Sequence, residues 1–178
     1  MSKAVLISIR PKWVEKIANG EKTIEVRKAR PNLPTPFKVY IYCSQGDDAR
    51  RLRGSWGKVI GEFTCDRIDR LAPANDPYGI YDIDDDYVLQ TCLENGALWD
   101  YGHGTPLYGW HISNLKIYDA PKKLGEFWRD CLEYSELSTN CWSCENVCGD
   151  GDETDCNTNG RLYLHRPPQS WCYVEAMK

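Results

Sequence analysis

The residues most able to do chemistry lie in one short stretch, GEKTIEVRK, from Gly20 to Lys28. Lys22, Glu25 and Arg27 are its reactive groups. A lysine beside another cation, or partly desolvated, has a lowered pKa and can act as a base at neutral pH. A carboxylate such as Glu25 can pair with either cation or accept from the exocyclic amine of a nucleobase. The Arg27 guanidinium offers a fork for phosphate or carboxylate. The alternative is a ladder of salt bridges along a strand edge, and the stretch alone leaves both readings open.

A second cluster, CWSCENVCGDGDETDC, spaces Cys141, Cys144, Cys148 and Cys156 as C-x2-C-x3-C-x7-C. Four thiolates so close together can close a tetrahedral zinc site. Metal would order a Gly- and Asp-rich loop with almost no apolar residues of its own. Reduced thiols on a flexible loop are the alternative. The spacing does not suit an iron–sulfur cluster, nor DGDETD an EF-hand. The other cysteines are scattered. Cys43, Cys65 and Cys172 fall in apolar, strand-like text, where cysteine acts as a small hydrophobe.

The elements around the charged stretch must position it. AVLISI (4–9) reads as a buried strand. Pro11 suits the first turn of a helix whose apolar face carries Val14, Ile17 and Ala18, and Gly20 supplies a left-handed stop. In the strand that follows, alternation sends Ile24 and Val26 to the core and Thr23, Glu25 and Arg27 to the opposite face. RPNLPTP (30–36) is an extended loop. FKVYIYC (37–43), GKVIGEFTCDRI (57–68), residues 107–121 and the tail from 166 to 176 read as strands. Residues 86–102 hold a helix broken at Asn95-Gly96. Short strands with a few helices give an α+β fold.

The chain has 178 residues and seven Trp, enough for a real core without disulfides. Net charge is −4, but residues 1–70 hold fifteen Lys/Arg against eight Asp/Glu, so the first part is basic. A basic segment can meet phosphates even in an acidic chain. Arg50, Arg51 and Arg53 add a basic cluster in a polar loop. No apolar run approaches the roughly 20 residues that span a bilayer, and no signal-like segment opens the sequence. A cytoplasmic protein is expected, without membrane partners and without a disulfide framework.

LISIRPKWVEKIANGEKTIEVRK resembles the opening of an ASCH domain, of the PUA-like superfamily. That family's signature is a strand, a short helix and then G-x-K-T-x-E-x-R, which Gly20 to Arg27 fill position by position. GKVIGEFTCDRI and YGWHISNLKIYDAPKKLGEF are similar to its later strands, and RPPQSWCYVE to the closing strand of prophage-borne members. The resemblance implies one domain over residues 1–178, a small PUA-like β-barrel, with residues 129–165 as a Cys-rich insert able to meet a protein partner. It implies a cleft for RNA or a modified nucleobase.

Some such relatives hydrolyse the acetyl amide of N(4)-acetylcytidine, and others are RNA-binding or RNA-cleaving. The amidohydrolases use a Lys that Lys22 matches, a Thr nucleophile where this sequence has Glu25, and a Glu best matched by Glu94. The absent Thr favours a binder over amide hydrolysis; the alternative is an enzyme with Lys22, Glu25 and Glu94 as its catalytic set, a Lys/Glu pair activating water as general base and acid. Ser8, Arg10, Trp13, Thr23, Arg27, Trp110, His111, Gln169 and Ser170 are expected to bind the ligand. The tryptophans would stack on a base, worth about 1–3 kcal/mol each, or else pack in the core, and His111 would bond a ligand or else a strand neighbour. Structural zinc on the clustered cysteines is the one cofactor expected.

Overall fold

The computed structural model of the protein describes residues 2–45, 55–74, 80–130, 156–157 and 161–177. Its main feature is a six-stranded sheet. β1 (Lys3–Ile9) leads through α1 (Pro11–Ala18) into β2 (Ile24–Arg27) and then β3 (Phe37–Cys43). β4 (Lys58–Leu71) follows, then α2 (Asp85–Thr91), α3 (Asn95–Gly102) and the long β5 (Leu107–Lys123). After a 3-10 turn, β6 (Trp128–Asp130), β7 (Cys156–Asn157) and β8 (Arg161–Tyr163) form a separate small sheet, and β9 (Trp171–Glu175) returns to the main one. The strand order is β2-β5-β4-β3-β1-β9, with β1 parallel to β3 and the other pairs antiparallel.

β1 and β3 are continuous apolar text because both of their faces are covered. Val5, Ile7 and Ile9, with Val39 and Ile41, pack against Val14 and Ile17 of α1, Phe63 and Trp110. The alternate residues Ala4, Leu6, Tyr40 and Tyr42 pack with Val59, Phe127 and Val174 on the other face. A third cluster, Val26, Leu71, Tyr81, Leu98 and Leu107, lies under α2 and α3. Ile24 and Val26 are both buried, as alternation requires.

The expected closed barrel is not formed. β2 and β9 stand at the two ends of the strand order and share no ladder. β2 is only four residues long, and Pro31, Pro34 and Pro36 soon follow it, lacking the N–H groups that a ladder needs. Side chains cross the seam instead. Arg27 Nη2 donates to the Ser8 carbonyl at 2.5 Å, and the Asn32 amide donates to Tyr173 Oη at 2.8 Å. The helix expected over 86–102 is interrupted, but not at Asn95-Gly96. The break falls at Cys92, the left-handed cap of α2 (φ 53°), while Asn95-Gly96 opens α3.

Among the described residues no helix is long and apolar enough to cross a membrane.

Candidate functional site

The seam holds a cavity of about 560 Å³. Its floor is the charged stretch. Lys22 lies in the turn before β2, where its amide bonds the Lys16 carbonyl at 3.0 Å and Gly20 adopts φ +76°. That turn frees Lys22 from the strand's alternation and brings it to the side of Glu25. Lys22 is 2% exposed and Glu25 is 4% exposed, so both charges are held out of water.

The three groups form one network. Lys22 Nζ is 3.4 Å from Glu25 Oε2, and Arg27 Nη2 is 3.1 Å from Glu25 Oε1. Lys22 also donates to the Thr91 carbonyl at 2.6 Å, and its Nζ lies 5.2 Å from the centroid of the Trp13 ring. Burial pushes the Lys22 ammonium down from its ordinary pKa, while the neighbouring Glu25 carboxylate works in the opposite direction. Arg27 keeps one buried donor unused: Nε–H meets no acceptor among the described residues. A buried donor without a partner is costly, and this one is also closed to solvent.

The walls come from both ends of the sequence. Ser8, Arg10 and Trp13 line one side, and Gln169 and Ser170 line another. Ser8 acts as a joint: its amide donates to the Ser170 carbonyl at 2.9 Å and its hydroxyl to the Pro168 carbonyl at 2.6 Å. With Lys22, Glu25 and Arg27, eight of the expected residues meet in this cavity.

Four do not line it. Thr23 lies outside β2, where its amide bonds the Gln90 carbonyl and its carbonyl takes the Ile112 amide. Trp110 is a cross-strand neighbour of Glu25 but is fully buried, edge-on to Phe37 at 5.9 Å and tilted against Trp171 at 6.0 Å. The next residue, His111, points to the opposite face of the sheet, as strand alternation demands. There its Nε2 is 2.6 Å from Asp69 Oδ2 and 2.9 Å from Arg67 Nη2. Glu94 is exposed at the start of α3, and its side chain makes no capping bond.

Sequence reasoning missed Lys12, Leu93, Ala97, Tyr101, Pro167 and Pro168, all of which line the cavity. Lys12 was legible in principle, since it adjoins Trp13 and its Nζ lies 4.5 Å from that ring's centroid. Tyr101 and Leu93 belong to the segment that α2 and α3 fold over β2, a tertiary approach with no local signal. Cys141, Cys144 and Cys148 lie outside the described residues, as do Arg50, Arg51 and Arg53, and of Cys156 only the backbone is described. Among the described residues no group of His, Cys, Asp or Glu is arranged to hold a metal ion.

No protein-family model and no curated protein matches the sequence. Solved structures do. The crystal structure of ASCH from Zymomonas mobilis is similar over 68% of this chain and 73% of its own, with 20% identity and a TM-score of 0.51. A Tyr-to-Phe mutant of that protein matches over 69% and 77% of the two chains, with 22% identity and a TM-score of 0.50. A Ser-to-Ala mutant matches over 68% and 74%, again with 22% identity and a TM-score of 0.50. The chain carries the fold of the ASCH domain.

Proposed function

We propose that the seam cavity binds a nucleobase, either within RNA or as a modified nucleoside. One observation carries this reading: a buried carboxylate and a largely buried guanidinium stand side by side on the cavity floor. A base edge carries both donors and acceptors. Its exocyclic amine would donate to Glu25, and a ring nitrogen or carbonyl would accept from Arg27.

Calorimetric titration with nucleosides and short RNAs tests the reading. Glu25→Gln should weaken binding at least about tenfold. Equal binding by wild type and Glu25→Gln, or binding by neither protein, would overturn it. Salt separates two forms of ligand. Binding to an RNA backbone falls steeply as salt rises, whereas binding of an uncharged nucleoside does not.

A second reading, hydrolysis of a nucleoside amide or of RNA, is favoured by the lowered pKa of Lys22, a property of catalytic lysines. Against it, the Lys22 ammonium already has a carbonyl, a carboxylate and an aromatic ring around it. Acetate release from N(4)-acetylcytidine, abolished by Lys22→Ala, would establish turnover. No release by either protein at high concentration removes that substrate and leaves the binder.

A further inference from the structure

The cavity is unbalanced in charge. Arg10, Lys12, Lys22 and Arg27 line it against one carboxylate, Glu25. Lys22 and Arg27 are engaged with that carboxylate on the floor. Arg10 and Lys12 are not. Both are exposed, and they flank Pro11 where α1 begins, a helix with no acidic residue in its first turn. A first turn usually favours carboxylates. Here two cations stand at the mouth of a cleft instead.

Lys12 does something more specific. Its ammonium rests 4.5 Å from the centroid of the Trp13 ring, whose other close cation is the buried Lys22. A cation held over a ring at an exposed site is weakly bound. An aromatic ligand that stacks on Trp13 on that side takes the place of the ammonium. The displaced charge then needs a partner at the mouth, and a phosphate joined to the same ligand supplies it.

We propose that the cavity takes a phosphorylated nucleoside unit, with its base on Trp13 above the Glu25–Arg27 floor and its phosphate held by Arg10 and Lys12. This inference rests on the base-binding reading and adds that the phosphate is part of what is recognised. A free nucleoside monophosphate and a nucleotide within an RNA chain share that chemistry.

Calorimetry would compare the four ribonucleosides, their 5′-monophosphates, inorganic phosphate and a trinucleotide, against wild type and the Arg10→Gln/Lys12→Gln double variant. Far-ultraviolet circular dichroism and a urea midpoint would confirm that the variant is folded. Wild type should bind at least one monophosphate about tenfold or more tighter than its nucleoside. In the double variant that ratio should fall to about one. Lys16→Gln, on α1 but outside the cavity, should keep the ratio. The trinucleotide arm identifies the source: binding tighter than the monophosphate, with a salt slope reduced by about one unit per cation removed, points to an RNA chain. Monophosphate binding equal to or tighter than trinucleotide binding points to the free nucleotide.

Equal affinity for nucleoside and monophosphate in wild type overturns the phosphate site and leaves base binding standing. So does a ratio unchanged in the double variant. Binding of inorganic phosphate as tight as that of the monophosphates overturns the coupling to a base. No binding of any nucleoside, monophosphate or trinucleotide overturns both readings together.

Discussion

Arg27 reaches across the open seam of the sheet and places Nη2 2.5 Å from the carbonyl oxygen of Ser8. The Ser8 amide bonds Ser170, so this one residue joins the last strand's approach through its N–H and β2 through its C=O. Arg27→Gln cannot span to Ser8 and Glu25 together. It should destabilise the fold by about 1–3 kcal/mol, since a charged hydrogen bond is lost and Glu25 keeps only Lys22. A lowered urea midpoint with an unchanged m-value would show this. An unchanged midpoint would mean that the seam holds without Arg27.

Lys22 and Glu25 should be strongly coupled. Removing one partner of a buried pair costs about 3–5 kcal/mol, because a charge is left uncompensated. Arg27 still faces Glu25, so Lys22→Met should fall at the lower end of that range. In a double-mutant cycle with Glu25→Gln, the combined loss should be smaller than the sum of the single losses by about 1–3 kcal/mol. Additive losses would show that the two side chains act independently.

The pH dependence of stability carries a signature of the same lysine. Burial depresses the Lys22 pKa in the folded state below its ordinary value of 10.5. Between the folded and unfolded values, the unfolded chain binds more protons than the folded one. Stability contributed at this site therefore rises with pH across that window and is smallest below it. Denaturation of wild type and Lys22→Met from pH 7 to 10.5 should show their difference widening with alkaline pH. A difference independent of pH would place the ammonium in an environment like water.

The core thiols should be inert. Burial pushes Cys43 up to about 11 and Cys65 up to about 12. Thiolate, not thiol, is the nucleophile. Iodoacetamide at pH 7.5, followed by peptide mapping, should leave both unmodified in the native protein and alkylate both in urea. Rapid native alkylation of either would contradict their place in the core.

Gly109 is fixed by the tyrosine above it. A Cβ at this position would come within 1.8 Å of Tyr87 Oη and 3.1 Å of Ile24 Cγ2. Gly109→Ala should cost about 1–3 kcal/mol through overpacking. Tyr87→Phe removes the nearest atom and should recover part of that loss in the double variant. Full tolerance of Gly109→Ala alone would mean that α2 can lift away from the sheet.

The charged stretch was legible because its residue types conflict with an ordinary strand. Glu25 and Arg27 could be placed from period-two alternation, and Ile24 and Val26 from the same rule. Lys22 broke that rule, since strand pairing starts two residues after it. Ser8, Arg10, Gln169 and Ser170 followed from the ends of β1 and β9. Trp110 and His111 misled for one reason: a sequence shows which residues alternate but not which face is core and which meets a helix. The open seam was illegible too, because closure depends on whether two distant edges come within hydrogen-bonding reach.

The cavity needs residues 8 to 27 from one end of the sequence and Pro167 to Ser170 from the other. Three strands of the main sheet, β3, β4 and β5, lie between them in sequence. During synthesis, a chain that has left the ribosome only as far as β5 has all the charges of the floor but lacks the wall that Pro167 to Ser170 supply. The cavity is thus completed only after the first five strands have been made, and truncation before Pro167 would open it while sparing the hydrogen-bonded ladders of those strands.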